Sequence, residues 1–213
     1  NLQIIYKKQL RNSFYTFLFL SLALPSFGQD IYTPPKLQNT IPVIDGQIQA
    51  GEWESAEEVL LDFEVDPGNN VSPKEKTIAY ISYTDTHLYV AVHAFADPKE
   101  IRASVRSRDD FGMIGDDFIL LRFDTYTDGR NNYLLLVNPF GSQLDARAIN
   151  ALTDDERYDS SFNLEYETQG TIVSDGYQVE FKIPFSSIPF PNGTDQLWHF
   201  NITRQAFRDG IPI

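Results

Sequence analysis

Between Lys76 and Asn138 the chain repeats one pattern four times. Thr77–Tyr83, His87–Phe95, Asp117–Asp124 and Asn132–Asn138 carry the period-two alternation or the β-rich apolar composition of pleated strands. Short acidic connections join them: Tyr83-Thr84-Asp85-Thr86-His87 reads as one tight hairpin, and Asp124–Gly129 as another. Strands hidden on one face and wet on the other must stack in layers. The reading is therefore all-β: an antiparallel β-sandwich of the immunoglobulin or jelly-roll type. Function must then sit on loops or on one sheet face, because the interior is taken up by packing.

The flanking sequence extends the series. Ile41–Ile44, closed by Asp45-Gly46, reads as a strand, as do Val59–Val65, Ser142–Ile149, Ser161–Thr168, Tyr177–Ile183 and Leu197–Arg204. That makes about ten strands with almost no helix. Glu52–Glu58 fits one or two helical turns, with Trp53 and Ala56 on one side. Asp66–Lys76 is a loop rich in Pro, Gly and Asn. Ala151–Asp159 is a charged loop containing Asp154, Asp155, Glu156 and Asp159.

The first residues differ in kind. Lys7, Lys8 and Arg11 precede a mostly apolar run, Ser13–Leu24, followed by Pro25 and the small residues around Gly28. This is the pattern of a secretory signal peptide cleaved after Gly28. The apolar run is short for a membrane span, which needs roughly 20 residues. No Cys follows Gly28, which excludes a lipoprotein anchor. The expected organisation is a leader over 1–28, a polar linker or edge segment over 29–40 with Pro34-Pro35, and a sandwich over 41–213 that continues past Ile213.

Loss of Lys7, Lys8 and Arg11 moves the formal charge from −13 to −16. So acidic a product repels nucleic-acid phosphates and anionic membrane surfaces, so neither is an expected partner. The chain has no cysteine, so stability must come from the apolar core or a bound metal rather than disulfides. An exported protein without cysteine fits a bacterial envelope.

Several short motifs follow one another in a fixed order. Ile44-Asp45-Gly46 comes first, then Gly51-Glu52-Trp53 with Ala56. Leu88–Val92 leads to Asp97-Pro98, and Gly115-Asp116-Asp117 to Phe123-Asp124. Tyr133–Asn138 with Gly141, Gly176–Glu180, Ile183–Ile188 and Phe200–Arg204 complete the series. This order and spacing resemble the family 9 carbohydrate-binding modules over about Ile41 to Arg204. Asp97-Pro98 with Ile101 and Arg102, Arg108-Asp109-Asp110, Asp128-Gly129-Arg130-Asn131 and Val137–Gly141 are most similar to the modules at the N-terminus of large bacterial envelope proteins. In those proteins an outer-membrane β-barrel region is thought to follow. The resemblance implies an exported, non-catalytic module of a Gram-negative periplasm, outer membrane or cell surface. Its ligand would be an oligo- or polysaccharide, its partner a C-terminal barrel of the same protein, and its setting polysaccharide catabolism. The alternatives are an interaction head without sugar affinity, or an accessory fragment of a glycoside hydrolase.

The sequence departs from sugar-binding members, which resemble one another in gripping a sugar between two tryptophans. Here Trp53 belongs to the Gly-Glu-Trp motif and Trp198 to a core-like strand. With 16 Phe and 11 Tyr, most aromatics fill the sandwich, and those on loops are the candidates for stacking on a sugar ring. Those are Phe111, Phe140, Tyr158 and Phe162, with Tyr126 beside them. Arg106, Arg108 and Arg130 could donate paired hydrogen bonds to diol oxygens, or form salt bridges on an acidic protein.

Asp109, Asp110 and Asp116 are the candidate ligands for calcium, an ion held in structural sites by the modules the chain resembles. Asp117 points to the opposite face of its strand from Asp116. His87, His93 and His199 lack zinc spacing, and no catalytic signature of a hydrolase or phosphate loop is present. The chain is read as not an enzyme.

Overall fold

The computed structural model describes residues 2–6, 30–149, 158–208 and 211–212. In chain order the strands are β1 (Leu2–Tyr6), β2 (Asp30–Tyr32), β3 (Glu57–Leu60), β4 (Thr77–Tyr83), β5 (His87–Phe95), β6 (Phe118–Asp124) and β7 (Asn131–Val137). They continue with β8 (Gln143–Ile149), β9 (Tyr158–Asp159), β10 (Glu167–Val173), β11 (Gly176–Pro184), β12 (Gln196–Gln205), β13 (Phe207–Arg208) and β14 (Ile211–Pro212). A seven-stranded sheet has the order β2-β1-β12-β6-β7-β8-β9, and a five-stranded sheet the order β10-β11-β5-β4-β3. The pairing is antiparallel except for β1 beside β12. The chain is thus the expected β-sandwich.

Alternation decides what each sheet buries. Ile119, Leu121 and Phe123 of β6 share one core with Val90 and Val92 of β5 and with Tyr177, Val179, Phe181 and Ile183 of β11. Trp198 and Phe200 of β12 complete it. Phe123 stacks on Phe200 at 4.8 Å between ring centroids and meets Trp198 edge-on at 6.2 Å. Burial of each large apolar side chain stabilises the fold by about 1.5–3 kcal/mol. Leu2 and Ile4 of β1 lie in the same core. The apolar run Ser13–Leu24, the cleavage position at Gly28 and the acids Asp154, Asp155 and Glu156 lie outside the described residues.

Several expected boundaries move, each for a physical reason. Ile41–Ile44 forms no strand, and Ile41 and Val43 are exposed. The segment after it is held by side chains instead of a ladder. Asp45 and Gly46 donate their N–H groups to Glu180 Oε2 at 2.9 and 2.7 Å, and Ile48 donates to Gln178 Oε1 at 2.9 Å. Gly46 has φ +84°, and a Cβ there would press on Gly170 backbone of β10 at 3.1 Å. In place of a helix, Ala56 N–H closes a turn onto Trp53 C=O at 3.0 Å, and β3 starts at the next residue. β3 ends at Leu60, short of Val65. The strand expected over Ser161–Thr168 is replaced by β10, which starts at Glu167.

A charge cluster fastens the two sheets where β12 ends. Arg204 of β12 donates to Phe95 C=O of β5 at 3.0 Å, to Thr77 Oγ1 of β4 at 3.1 Å and to Glu75 at 2.5 Å. Arg208 bridges Glu75 and Asp117 at 2.7 and 2.9 Å.

Glu180 is fully buried, and its second oxygen accepts Trp53 Nε1 at 3.1 Å. Burial raises its pKa from 4.5 to about 7, against the opposing effect of its three N–H donors. The stabilisation is therefore fully present below pH 4.5 and is lost as the pH rises through about 7. Glu180→Gln does not titrate. Urea unfolding across this range should show wild type losing up to about 3 kcal/mol relative to Glu180→Gln as the pH rises. A constant difference between the two would refute the assignment.

Candidate functional site

The segment 96–117 runs from the end of β5 to the start of β6 without regular structure, apart from one 310 turn, Phe111–Gly115. Side-chain hydrogen bonds fix it to the β7–β8 turn. Arg106 donates its backbone N–H to Ser142 Oγ at 3.0 Å. Its guanidinium forks onto Asp116, with Nε at 2.7 Å and Nη2 at 2.9 Å, and reaches Asp110 through Nη1 at 3.3 Å. Asn138 joins the two sides. Its Nδ2 donates to Ser104 C=O and to Asp116, and its Oδ1 accepts from the N–H groups of Phe140 and Ser142. Asp110 caps the 310 turn by accepting Gly112 N–H at 2.8 Å.

Arg108 fastens the other side. It donates to Asp145 at 2.6 Å, Leu164 C=O at 2.5 Å and Gln143 Oε1 at 3.0 Å. Asp145 also accepts Leu164 N–H at 2.6 Å. Burial pushes the Asp145 carboxyl above its ordinary range despite Arg108. At Asp116 burial acts in the same sense, but the bonds from Arg106, Asn138 and Ser104 prevail and hold its pKa below 3.8. The difference is local: Asp116 takes both arms of a guanidinium, Asp145 only one.

The aromatics of this end project from the frame. Phe111 is 55 % exposed at the start of the 310 turn, and Phe140 is 42 % exposed at the tip of the β7–β8 turn. Val105, 80 % exposed, and Ile114, 54 % exposed, lie on the same irregular segment as Phe111. The turn carrying Phe140 lies directly on β10. Gly141 has φ +75°, and a Cβ on Gly170 would come within 2.7 Å of Gly141 N and Pro139 O. No side chain fits between them.

Four of the seven expected ligand residues, Arg106, Arg108, Phe111 and Phe140, therefore meet at one end of the sandwich. The two arginines turn their donors to the protein. Arg130 and Tyr158 lie toward the other end. Arg130, 81 % exposed in its side chain, stands 4.0 Å from Asp128 beyond β6, and Tyr158 lies on β9, paired with Ala148. Phe162 packs inward on Tyr133 at 5.4 Å, beneath the Arg147 guanidinium. The carboxylates proposed for calcium face arginines: Asp109 toward Arg108 at 3.6 Å, Asp110 and Asp116 toward Arg106. Among the described residues no three His, Cys, Asp or Glu side chains are grouped to hold a metal.

One feature escaped the sequence reading. A groove of about 250 Å³ lies between Asn201–Ala206 and the segments around Leu61–Asp66 and Pro73–Thr77. Phe63 and Val65 stand exposed along it. Reading Val59–Val65 as one strand hid them, although the mixture of acids and apolar residues there was a usable signal.

No family model matches the chain, and no curated protein matches it. Solved structures do. A family 9 carbohydrate-binding module from Caldicellulosiruptor kristjanssonii, in complex with cellotriose, is 17 % identical, with a TM-score of 0.51 over 84 % of this chain and 80 % of that one. A candidate carbohydrate-binding protein from Bacteroides uniformis ATCC 8492 is 12 % identical, with a TM-score of 0.51 over 84 % and 86 %. The likeness is one of fold. The sandwich is of the class found in family 9 carbohydrate-binding modules, as the order of motifs implied.

Asp116 is the carboxylate on which this frame turns. Asp116→Asn removes the charge that Arg106 faces and should destabilise the protein by about 2–3 kcal/mol at neutral pH. Because the wild-type pKa is lowered, that advantage is present above pH 3.8 and is lost as the pH falls below it. Chemical denaturation at several pH values reads both effects.

Proposed function

We propose that this chain is a non-catalytic carbohydrate-binding module that holds an oligo- or polysaccharide at the end of the sandwich carrying Phe111 and Phe140. The observation that carries the reading is two exposed phenylalanines on backbones locked by Arg106, Asn138 and Asp110. A sugar ring offers an apolar face to such a ring, and a fixed aromatic loses little freedom on binding. The fold supports it, since the Caldicellulosiruptor module that shares it was solved with cellotriose. Affinity would lie between micromolar and millimolar, about −4 to −8 kcal/mol. In this proposal Arg106 and Arg108 brace the site, and Arg130, Tyr158 and Phe162 stand outside it. An exported module of a Gram-negative envelope protein, followed by an outer-membrane barrel and serving polysaccharide catabolism, is the setting the leader pattern and the motif order support. Calcium at Asp109, Asp110 and Asp116 would require Arg106 and Arg108 to release them.

A second reading rests on Val105 and Ile114. Aliphatic side chains so exposed beside the phenylalanines suit contact with a protein better than with a sugar. The interaction-head alternative is therefore kept.

Calorimetry with cello-oligosaccharides and other neutral glycans separates the two. Phe111→Ala and Phe140→Ala should each weaken saccharide binding about tenfold while leaving the melting temperature close to wild type. Absence of binding to every glycan tested, with a partner protein retained by the same face, would give the interaction head.

A further inference from the structure

The seven-stranded sheet has a second face, turned away from the core. On β7 and β8 that face is aliphatic: Leu134, Leu136, Leu144, Ala146 and Ala148 are buried there with Met113 and Phe118. On β12 it is polar, carrying His199, Asn201 and Thr203. β6 runs between them. Its residue Arg122 stands at the boundary, paired across strands with Asn201 on one side and Leu134 on the other.

Five arginines among the described residues are half-buried: Arg106, Arg122, Arg147, Arg204 and Arg208. Four face acids, namely Asp116, Asp159, Glu75 and, for Arg208, both Glu75 and Asp117. Arg122 is the exception. No acid among the described residues pairs with it, in a chain holding 30 Asp and Glu, and its Nε is buried without a hydrogen-bond partner. The acid two residues along the same face, Asp124, makes no ion pair with Arg122, and its Oδ1 is buried without a hydrogen-bond partner. Its Oδ2 accepts Gly129 N–H at 2.8 Å and lies 3.3 Å from His199 Nδ1.

A guanidinium partly withdrawn from water needs a counter-charge, and a carboxylate matches its planar fork best. We propose that Arg122 is the binding position for the carboxylate of an acidic sugar, a uronate residue within a glycan. This rests on the saccharide reading and adds to it a second contact, on the outer face of β6 and apart from the end that carries Phe111 and Phe140. Asn201 Oδ1 already accepts Thr203 Oγ1 at 2.8 Å, which leaves Asn201 Nδ2 to donate to the ligand. The net charge of −13 opposes a polyanion, but beyond about 8 Å it is screened at physiological salt. The occupant is accordingly an isolated acidic residue in an otherwise neutral chain.

The test compares a short galacturonate or glucuronate oligosaccharide, its carboxyl-reduced form and cellotriose by calorimetry on the whole chain. Wild type should bind the acidic form about tenfold more tightly than the reduced one. Arg122→Gln should abolish that preference, and Arg122→Lys, which keeps the charge but loses the fork, should retain only part of it. Asn201→Ala should weaken acidic-sugar binding several-fold and serves if the Arg122 variants fail to fold. Equal binding of acidic and reduced forms by wild type, or an undiminished preference in Arg122→Gln, overturns the proposal. Binding of cellotriose without carboxylate preference overturns it and leaves the saccharide reading standing. Binding of no saccharide overturns both.

Discussion

A charged guanidinium taken out of water must be met by something of opposite sign, and much of this structure is arranged to satisfy that demand. Arg204 and Arg208 meet Glu75 and Asp117 where the two sheets come together, and Arg106 meets Asp116 where the irregular segment joins the β7–β8 turn. In each case the acid also accepts a backbone N–H or has a second donor, so few lone pairs are left without a partner. Removing either member of such a pair would leave a buried charge alone, so these contacts hold each other in place. The apolar core sets the two layers face to face; the paired charges fix how their ends meet.

The core-facing strands were readable because period two is a strong signal when one face is buried. β4 and β5 fall where alternation puts them, Thr77–Tyr83 and His87–Phe95. β10 was not readable. Its sequence, Glu-Thr-Gln-Gly-Thr-Ile-Val, has a central glycine and no alternation, because Gly170 is required by the approach of the Pro139–Gly141 turn and not by strand packing. The opposite error occurs just before it. Leu164 and Tyr166 alternate like a strand and are buried, yet Asp145 and Gln143 side chains take their backbone groups. Alternation reports burial, not which partner satisfies the backbone. The pairing of β1 with β12 joins residues nearly 200 apart and leaves no local mark.

The candidate site was legible by residue type and not by role. The loop aromatics and arginines were identifiable as such, and four of the seven do converge. Whether an arginine is free or spent depends on acids 4, 10 or 37 residues away, as with Asp110, Asp116 and Asp145. Arg122 illustrates the converse. It sits inside a strand, and only the full set of partners around the other arginines makes its isolation visible.

The backbone contact between Gly141 and Gly170 limits how this fold can vary. The turn bearing Phe140 rests on the opposite sheet with no side chain as a cushion, so the loop cannot lengthen inward, tilt or be reshaped by a substitution at its base. What stays free to vary at this tip is the identity of the residue at its apex, on a mount whose height and direction are already set.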